Sequence, residues 1–495
     1  MHDLVVSGGT VHDGLGGPGR VADVAVNGGR VTAVGTGLGA ARRVLDAGGL
    51  VVAPGFIDPH SHSDMHEEYP ASTDPIKLFQ GVTTEILGNC GFSPPDFTGY
   101  MDKLDGTPLV ANACVLVGHN TLREAANGMG TALRPGALER MCEAADEAFA
   151  AGAVGISSGL EYAPGAYGDT GELVALATVA HKWRRIYTTH MRNEGEGLIA
   201  AVDEALEIAR RARVRLQVSH CKASGPRAHG LSLVVLKRLR AARIAGIDVL
   251  GDIYPYTACS TGLAAVLPAI ALEGGEESLL KRLADPAERA ALRTIAEHPD
   301  EWYGAGIWRE TTPEDILIVE HKDGSLLGRT LGDIAGGRDP WEVLCDVVAA
   351  DPEAATVLTT MSEDDLLSFL ADPLIGVGSD GGLTTPLGHP RTWGTFPRYL
   401  GRYVRDKQAL PLAEAVRRMT SLTATHFGLT GRGWIGVGGH ADLCVFDPAT
   451  IGHEGTFTEP GIRPTGVQHV VMAGKVAVAD GEFAGERHGR LIRAA

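Results

Sequence analysis

Pro54-Gly55-Phe56-Ile57-Asp58-Pro59-His60-Ser61-His62-Ser63-Asp64 is the stretch on which the fold turns. An apolar run closes on a His-x-His pair. Because strand side chains alternate with a period of two, His60 and His62 leave the same face and can converge on one point. An isolated pair of this kind reads as readily as two histidines in a polar loop, so its weight depends on the rest of the chain. Four more apolar runs close in the same way, on Gly88-Asn89-Cys90-Gly91, Thr189-His190-Met191-Arg192, Ser219-His220-Cys221-Lys222 and Gly378-Ser379-Asp380-Gly381. Each puts a metal-binding side chain where a strand stops.

Working outward, eight strand-like runs alternate with helical periods, at 52–58, 83–87, 113–118, 154–158, 186–189, 216–219, 247–253 and 375–379. That alternation is the pattern of a parallel sheet with crossover helices, and eight units predict a (β/α)₈ TIM-like barrel with its chemistry at the C-terminal ends of the strands. Residues 1–53 and 430–495 instead carry short Val-rich runs separated by Gly-containing turns, which predict hairpins. Lone hairpins are marginal in water, so the two ends are expected to pair as one small β-sandwich. The barrel then spans 54–264 and 346–429, and 265–345 is an insertion after strand seven that caps the site.

The 495 residues hold 61 Asp and Glu against 44 Lys and Arg, a formal charge of −17 that argues against nucleic acid or an anionic membrane surface as a partner. With 44% hydrophobic and 21% charged residues, a chain disordered throughout is excluded. Seven scattered cysteines do not make a disulfide framework, and the first residues show neither a basic nor a long apolar segment. The longest apolar stretch, at 263–272, is broken by Pro268 and falls short of the ~20 residues that span a bilayer. A cytoplasmic protein acting on a small molecule is expected.

Imidazole, thiolate and carboxylate donors together match Zn²⁺, which accepts all three and does no redox chemistry. Zinc lowers the pKa of a bound water towards neutrality, and Asp380 could take the proton released when that water attacks an amide.

These residues carry a resemblance over nearly the whole chain. From Pro54 to His62, and again in Gly438-Gly439-His440-Ala441-Asp442-Leu443-Cys444-Val445-Phe446-Asp447, the sequence resembles the amidohydrolase superfamily. Gly81-Val82-Thr83-Thr84, the Cys90 and His190 segments, and His389-Pro390-Arg391-Thr392-Trp393-Gly394-Thr395-Phe396-Pro397-Arg398 resemble the N-acyl-D-amino-acid deacylases, or D-aminoacylases, within it. The resemblance implies that Cys90, His190 and His220 hold a tight zinc while His60, His62 and Asp380 form a second, weaker position, with Asp380 as general base and acid. It also implies that Tyr162, Lys222, Tyr254, Ser260 and Arg391 bind an N-acyl amino acid, Arg391 meeting its carboxylate. Tyr162 and Tyr254 fit rim packing nearly as well. Cys221 stands where a second histidine often follows the strand-six ligand.

Strand four ends in Ser157-Ser158-Gly159-Leu160-Glu161-Tyr162, without the lysine that many superfamily members carbamylate to bridge two metals. Hydantoinase-like and dihydroorotase-like branches are therefore disfavoured. Glu161 reads as a structural hydrogen-bonding group and is left off the site. The competing readings are another amidohydrolase on the same barrel (a dipeptidase, cyclic amidase or deaminase) and a non-catalytic scaffold, which should have lost its ligands.

Overall fold

The computed structural model describes every residue except 66–68, 73, 299–303, 305, 383–384 and 495. Eight parallel strands follow one another around a sheet in chain order: Phe56–Asp58, Val82–Leu87, Asn112–Gly118, Gly155–Gly159, Ile186–His190, Arg215–Val218, Val249–Ile253 and Ile375–Val377. Nearly all of their residues are buried, since core side chains cover one face and helices the other. The helix Leu198–Ala212 shows how: Ala201, Val202, Ala205, Ile208, Ala209 and Ala212 form its inner stripe, while Arg210 and Arg211 stay at its exposed end.

The eighth strand meets the first through the segments just beyond them. Asp380 N donates to His60 O and His62 N to Gly381 O, both at 2.8 Å. Asp58 reinforces the seam, its carboxylate accepting from Ser379 N at 2.9 Å and Lys77 Nζ at 2.8 Å. The bonds that shut the barrel thus set the distance between His60, His62 and Asp380.

The expected strand at 52–58 is two strands. Val51–Pro54 pairs antiparallel with Leu443–Phe446 in the terminal sheet, and Phe56–Asp58 opens the barrel. Gly55 is the crossing point, its N–H on Asp442 O and that of Phe56 on Gly81 O. A Cβ at Gly55 would lie 2.2 Å from Thr83 Oγ1, so only glycine fits there.

Where two stacked sheets were expected from the termini, hydrogen bonds run through a single nine-stranded sheet. It curls so that Leu4, Val24 and Val52 share a core with Leu443 and Val471. The last residues leave that sheet and return to the barrel, where Ala113 N donates to Arg490 O and Ile492 N to Ala113 O.

The insertion is wider than 265–345. Ala258–Gly262 pairs antiparallel with Ala355–Thr359, which also pairs with Ile316–Glu320. This small sheet belongs to a separate apolar core with Leu279, Leu283, Trp341 and Leu344 from the helices Glu276–Ala284 and Pro340–Ala350. Pairing between 258–262 and 355–359 draws both ends of the excursion closer to the barrel than the composition of the segment suggests. Among the described residues no helix is long and apolar enough to cross a membrane.

Candidate active site

Three of the expected ligands sit on backbone that L-residues seldom adopt. Cys90, His220 and Asp380 have φ values of 52°, 31° and 49°. A left-handed residue just past a strand breaks the alternation of the pleat and turns its side chain towards the barrel axis, at a cost of about 1–3 kcal/mol each that the surrounding fold must offset. Asp252 supports one of them, its Oδ1 accepting from His220 N at 2.8 Å.

All six expected ligands converge and all are buried or nearly so. Cys90 Sγ lies 3.6 Å from His220 Nε2 and 3.8 Å from His190 Nδ1. A tetrahedral zinc with sulfur at ~2.3 Å and nitrogen at ~2.1 Å puts its ligand atoms about 3.6 Å apart, so this trio has the spacing of a zinc site. His60 Nε2 is 3.3 Å from Cys90 Sγ, from His62 Nε2 and from Asp380 Oδ1, and His62 Nε2 is 3.2 Å from Asp380 Oδ1. The second trio thus abuts the first, and Cys90 lies between them.

Each inner imidazole shows one nitrogen to this centre and the other to a carboxylate. Glu161 Oε2 is 3.0 Å from His190 Nε2, Glu194 Oε1 is 2.9 Å from His220 Nδ1, and Asp252 Oδ1 is 3.7 Å from His60 Nδ1. Carboxylates placed so behind metal-binding histidines fix the ring tautomer and raise its basicity. Glu161, set aside on sequence grounds, therefore belongs to the site, and Glu194 and Asp252 are additions to it. Glu194 had a weak signal, four residues beyond His190. Beyond a strand end that spacing fixes no direction.

Burial opposes charge throughout the cluster, but the partners outweigh it. Around Cys90 the neighbouring His60, His190 and His220 hold the thiol well below its usual range. Against the same burial, Glu194, Cys90 and Glu161 raise His190 to about 10, and Asp380 and Cys90 raise His62 to about 9. Thiolate and imidazolium charges stabilise one another here, and a divalent cation would take over the role of those protons.

Four of the five expected substrate contacts, Tyr162, Lys222, Ser260 and Arg391, line a cavity of about 350 Å³ together with His62, Cys90 and Asp380, whereas Tyr254 lies buried behind Arg391 and does not line it. Their environments differ from the expectation in several respects. Lys222 Nζ lies 2.6 Å from Glu194 Oε2, so its charge is already matched. Ser260 stands on the inserted sheet and its hydroxyl donates to Thr356 O at 3.0 Å. Tyr162 packs its ring 4.7 Å from that of His190, and its hydroxyl accepts from Thr261.

Arg391 begins the helix Arg391–Arg398 and touches Asp380 directly, Nη1 to Oδ2 at 2.7 Å, while Nη2 donates to Ser260 O. Burial would raise the Asp380 pKa, but Arg391, His60 and His220 bring it well below the ordinary carboxylate range. The buried hydroxyl of Tyr254, whose ring lies 4.8 Å beneath the guanidinium, finds no hydrogen-bond partner.

The sequence matches the amidohydrolase family over residues 43–303 and 334–478. It is 37% identical to a D-aminoacylase of Alcaligenes xylosoxydans xylosoxydans, covering 99% of this chain and 97% of the relative. An N-acyl-D-glutamate deacylase of the same organism is 36% identical, over 99% and 96%. Among solved structures, the N-acyl-D-glutamate deacylase of Bordetella bronchiseptica, complexed with zinc and a phosphonate mimic of the tetrahedral intermediate, superposes with a TM-score of 0.84 at 34% identity over the whole of both chains.

Proposed function

The chain belongs to the amidohydrolase family, in its N-acyl-D-amino-acid deacylase branch, and from that premise we propose that it hydrolyses N-acyl-D-amino acids to a carboxylate and a free D-amino acid in a zinc-dependent reaction. The observation that carries this reading is the meeting, in one cavity, of the Cys90, His190 and His220 donors with Asp380 and Arg391. Cys90, His190 and His220 would hold the zinc, with His60, His62 and Asp380 forming a weaker neighbouring position. When bound, zinc supplies a polarised acyl carbonyl and a water nucleophilic near neutral pH.

The rest of the work falls to side chains. Asp380, kept ionised by Arg391, accepts the proton of the attacking water at its carboxylate and returns it to the leaving nitrogen. Glu161 and Glu194 hold the rings of His190 and His220 in place from behind. Arg391 receives the substrate carboxylate through the planar donor geometry that suits it. Strand four offers no lysine for a bridging carbamate: Ser157 Oγ donates to Gly88 O and Ser158 Oγ to Thr189 Oγ1, which speaks against hydantoinase-type chemistry. Seven unpaired cysteines are in keeping with a cytoplasmic site of action.

The reading is tested by amine release from paired N-acetyl-D- and N-acetyl-L-amino acids with the zinc-loaded protein. Release from the D series alone is expected. Equal rates on both series would remove the assignment of handedness, and no release from either would remove the reaction class.

A second test concerns Arg391. Its replacement by Met should cost about 2–5 kcal/mol of transition-state stabilisation on N-acetyl-D-amino acids, the range for leaving a buried charge unpaired. The matching amino-acid amides, which lack the carboxylate, should lose less, and their residual loss measures what Arg391 contributes through Asp380. The same loss on acid and amide would mean that Arg391 serves Asp380 alone.

A further inference from the structure

Two turns leave the barrel rim side by side. Asn193-Glu194-Gly195-Glu196-Gly197 follows the strand Ile186–His190 and carries Glu194, and Ser224-Gly225 lies beyond the strand Arg215–Val218. Ser224 N donates to Glu194 O at 2.8 Å, which ties the two together. The first turn is wound about the side chain of Asn193, whose Oδ1 accepts from Gly195 N at 3.0 Å and from Gly197 N at 2.8 Å. Outside helix and sheet no ladder fixes the backbone, so the aim of Glu194 depends on these few bonds. Two site residues depend on that aim: Glu194 Oε1 lies 2.9 Å from His220 Nδ1 and Oε2 2.6 Å from Lys222 Nζ.

The insertion reaches this joint with one turn, Trp308–Glu310. Trp308 sets its ring 5.3 Å from that of Trp341 in the insertion's own core, and Arg309 pairs with Glu196 at 3.0 Å. Glu310 then enters between the two rim turns, where it is 6% exposed and its Oε1 accepts from Asn193 Nδ2 at 3.2 Å. Both turns carry glycine where it passes. A Cβ at Gly195 would lie 2.5 Å from Glu310 Oε1 and one at Gly225 would lie 2.7 Å from Glu310 Cα, so the rim is shaped around this one residue. Burial and the nearby carboxylates of Glu161 and Glu194 hold the Glu310 carboxyl well above its usual range, against the Ser224 hydroxyl and Lys222. As a neutral acid it needs hydrogen bonds here and not a counter-charge.

On the zinc site of the reading above, we infer that Glu310 is a positioning residue of the metal centre, supplied by the insertion. Glu310 holds Asn193, Asn193 holds the turn 193–197, and the turn aims Glu194 at His220 and Lys222. Glu310 does not line the substrate cavity and acts only through Glu194. The insertion thus does more than cap the cavity, since it completes the support of a zinc ligand from outside the barrel.

The test is zinc affinity, measured by competition with a chelator on the full-length wild type, Glu310→Leu and Glu310→Gln. Leucine keeps much of the volume but leaves the Asn193 amide without its acceptor, and zinc should bind about tenfold more weakly, the lower end of the range for removing a group that orients a ligand. Glutamine keeps an acceptor of the same shape and should restore the wild-type affinity. Gly195→Ala reaches the same contact from the other side: its methyl displaces the Glu310 carboxyl and should weaken zinc to a similar degree in a chain whose insertion is unaltered.

A merely structural Glu310 would lower the melting temperature of the zinc-free leucine variant and leave its zinc affinity unchanged. That result would overturn the inference, as would a glutamine variant as weak as the leucine one, or wild-type affinity in Gly195→Ala. Zinc binding is read without substrate, so a wild type that binds zinc but releases no amine from N-acyl-D-amino acids would remove the deacylase reading and leave the role of Glu310 to be decided by the chelator titration.

Discussion

Asp380→Asn is expected to lower turnover on the best N-acetyl-D-amino acid by about 10²- to 10⁴-fold, the range for loss of a general base, while zinc bound at Cys90, His190 and His220 stays. The substitution preserves size but removes the charge that accepts the proton. It also takes from Arg391 the charge that its Nη1 touches at 2.7 Å, and leaves one amide oxygen to serve either Arg391 or His60 and His62, which lie 3.3 and 3.2 Å from the other carboxylate oxygen. Steady-state kinetics and metal analysis on the same preparation separate these effects, and a thermal melt shows whether the buried guanidinium has destabilised the fold. A variant that turns over near the wild-type rate would mean that Asp380 does not carry the proton. Lost activity accompanied by lost zinc would make Asp380 an essential ligand of the metal at the other trio.

The second large effect is on metal binding. Cys90→Ala removes the one sulfur from a trio whose other members are imidazoles, and leaves a small void in a site where Cys90 is 5% exposed. Loss of a group that merely orients a ligand costs about 10- to 100-fold in metal affinity; loss of the ligand itself should cost more than 10²-fold. The purified variant should therefore contain far less than the zinc of the wild type. Cys221→Ala is the matched control, since that thiol is also fully buried next to a ligand but turns away, its Sγ 3.6 Å from Val218 O. Wild-type zinc in the Cys90 variant would falsify its assignment as a ligand and leave it a packing residue. Equal loss in both variants would point instead to general damage at this end of the barrel.

What could be read without the structure was local. A strand that ends in His-x-His, or in a single Cys, His or Asp, announces its candidate ligand within a few residues by residue type and place. The direction of Cys90, His220 and Asp380 is nevertheless set by left-handed backbone past the strand and not by the period of two. The eight alternating runs told the barrel for the same reason, each strand and each helix stripe being a short-range pattern. At Gly55 that pattern was silent: 52–58 is one apolar run, and only the competition between Asp442 O and Gly81 O for successive backbone N–H groups divides it between two sheets. The limits of the insertion were hidden likewise, since they depend on 258–262 finding 355–359 nearly a hundred residues on.

In the site, the residues expected as ligands converge as the sequence suggested, but the groups that support them were not legible there. Glu194 behind His220, Asp252 beneath the backbone of His220 and behind the ring of His60, Lys222 matched to Glu194, and Arg391 against Asp380 are pairings made across the barrel mouth. Which carboxylate meets which cation there depends on the left-handed turns at Cys90, His220 and Asp380, on the seam that joins His60 to Asp380, and on the wall that the insertion lays over them. Composition counts charges and periodicity assigns them a face. In a buried site the energy of each charge is set by its nearest few ångströms, and those are assembled only when the strands close into a barrel.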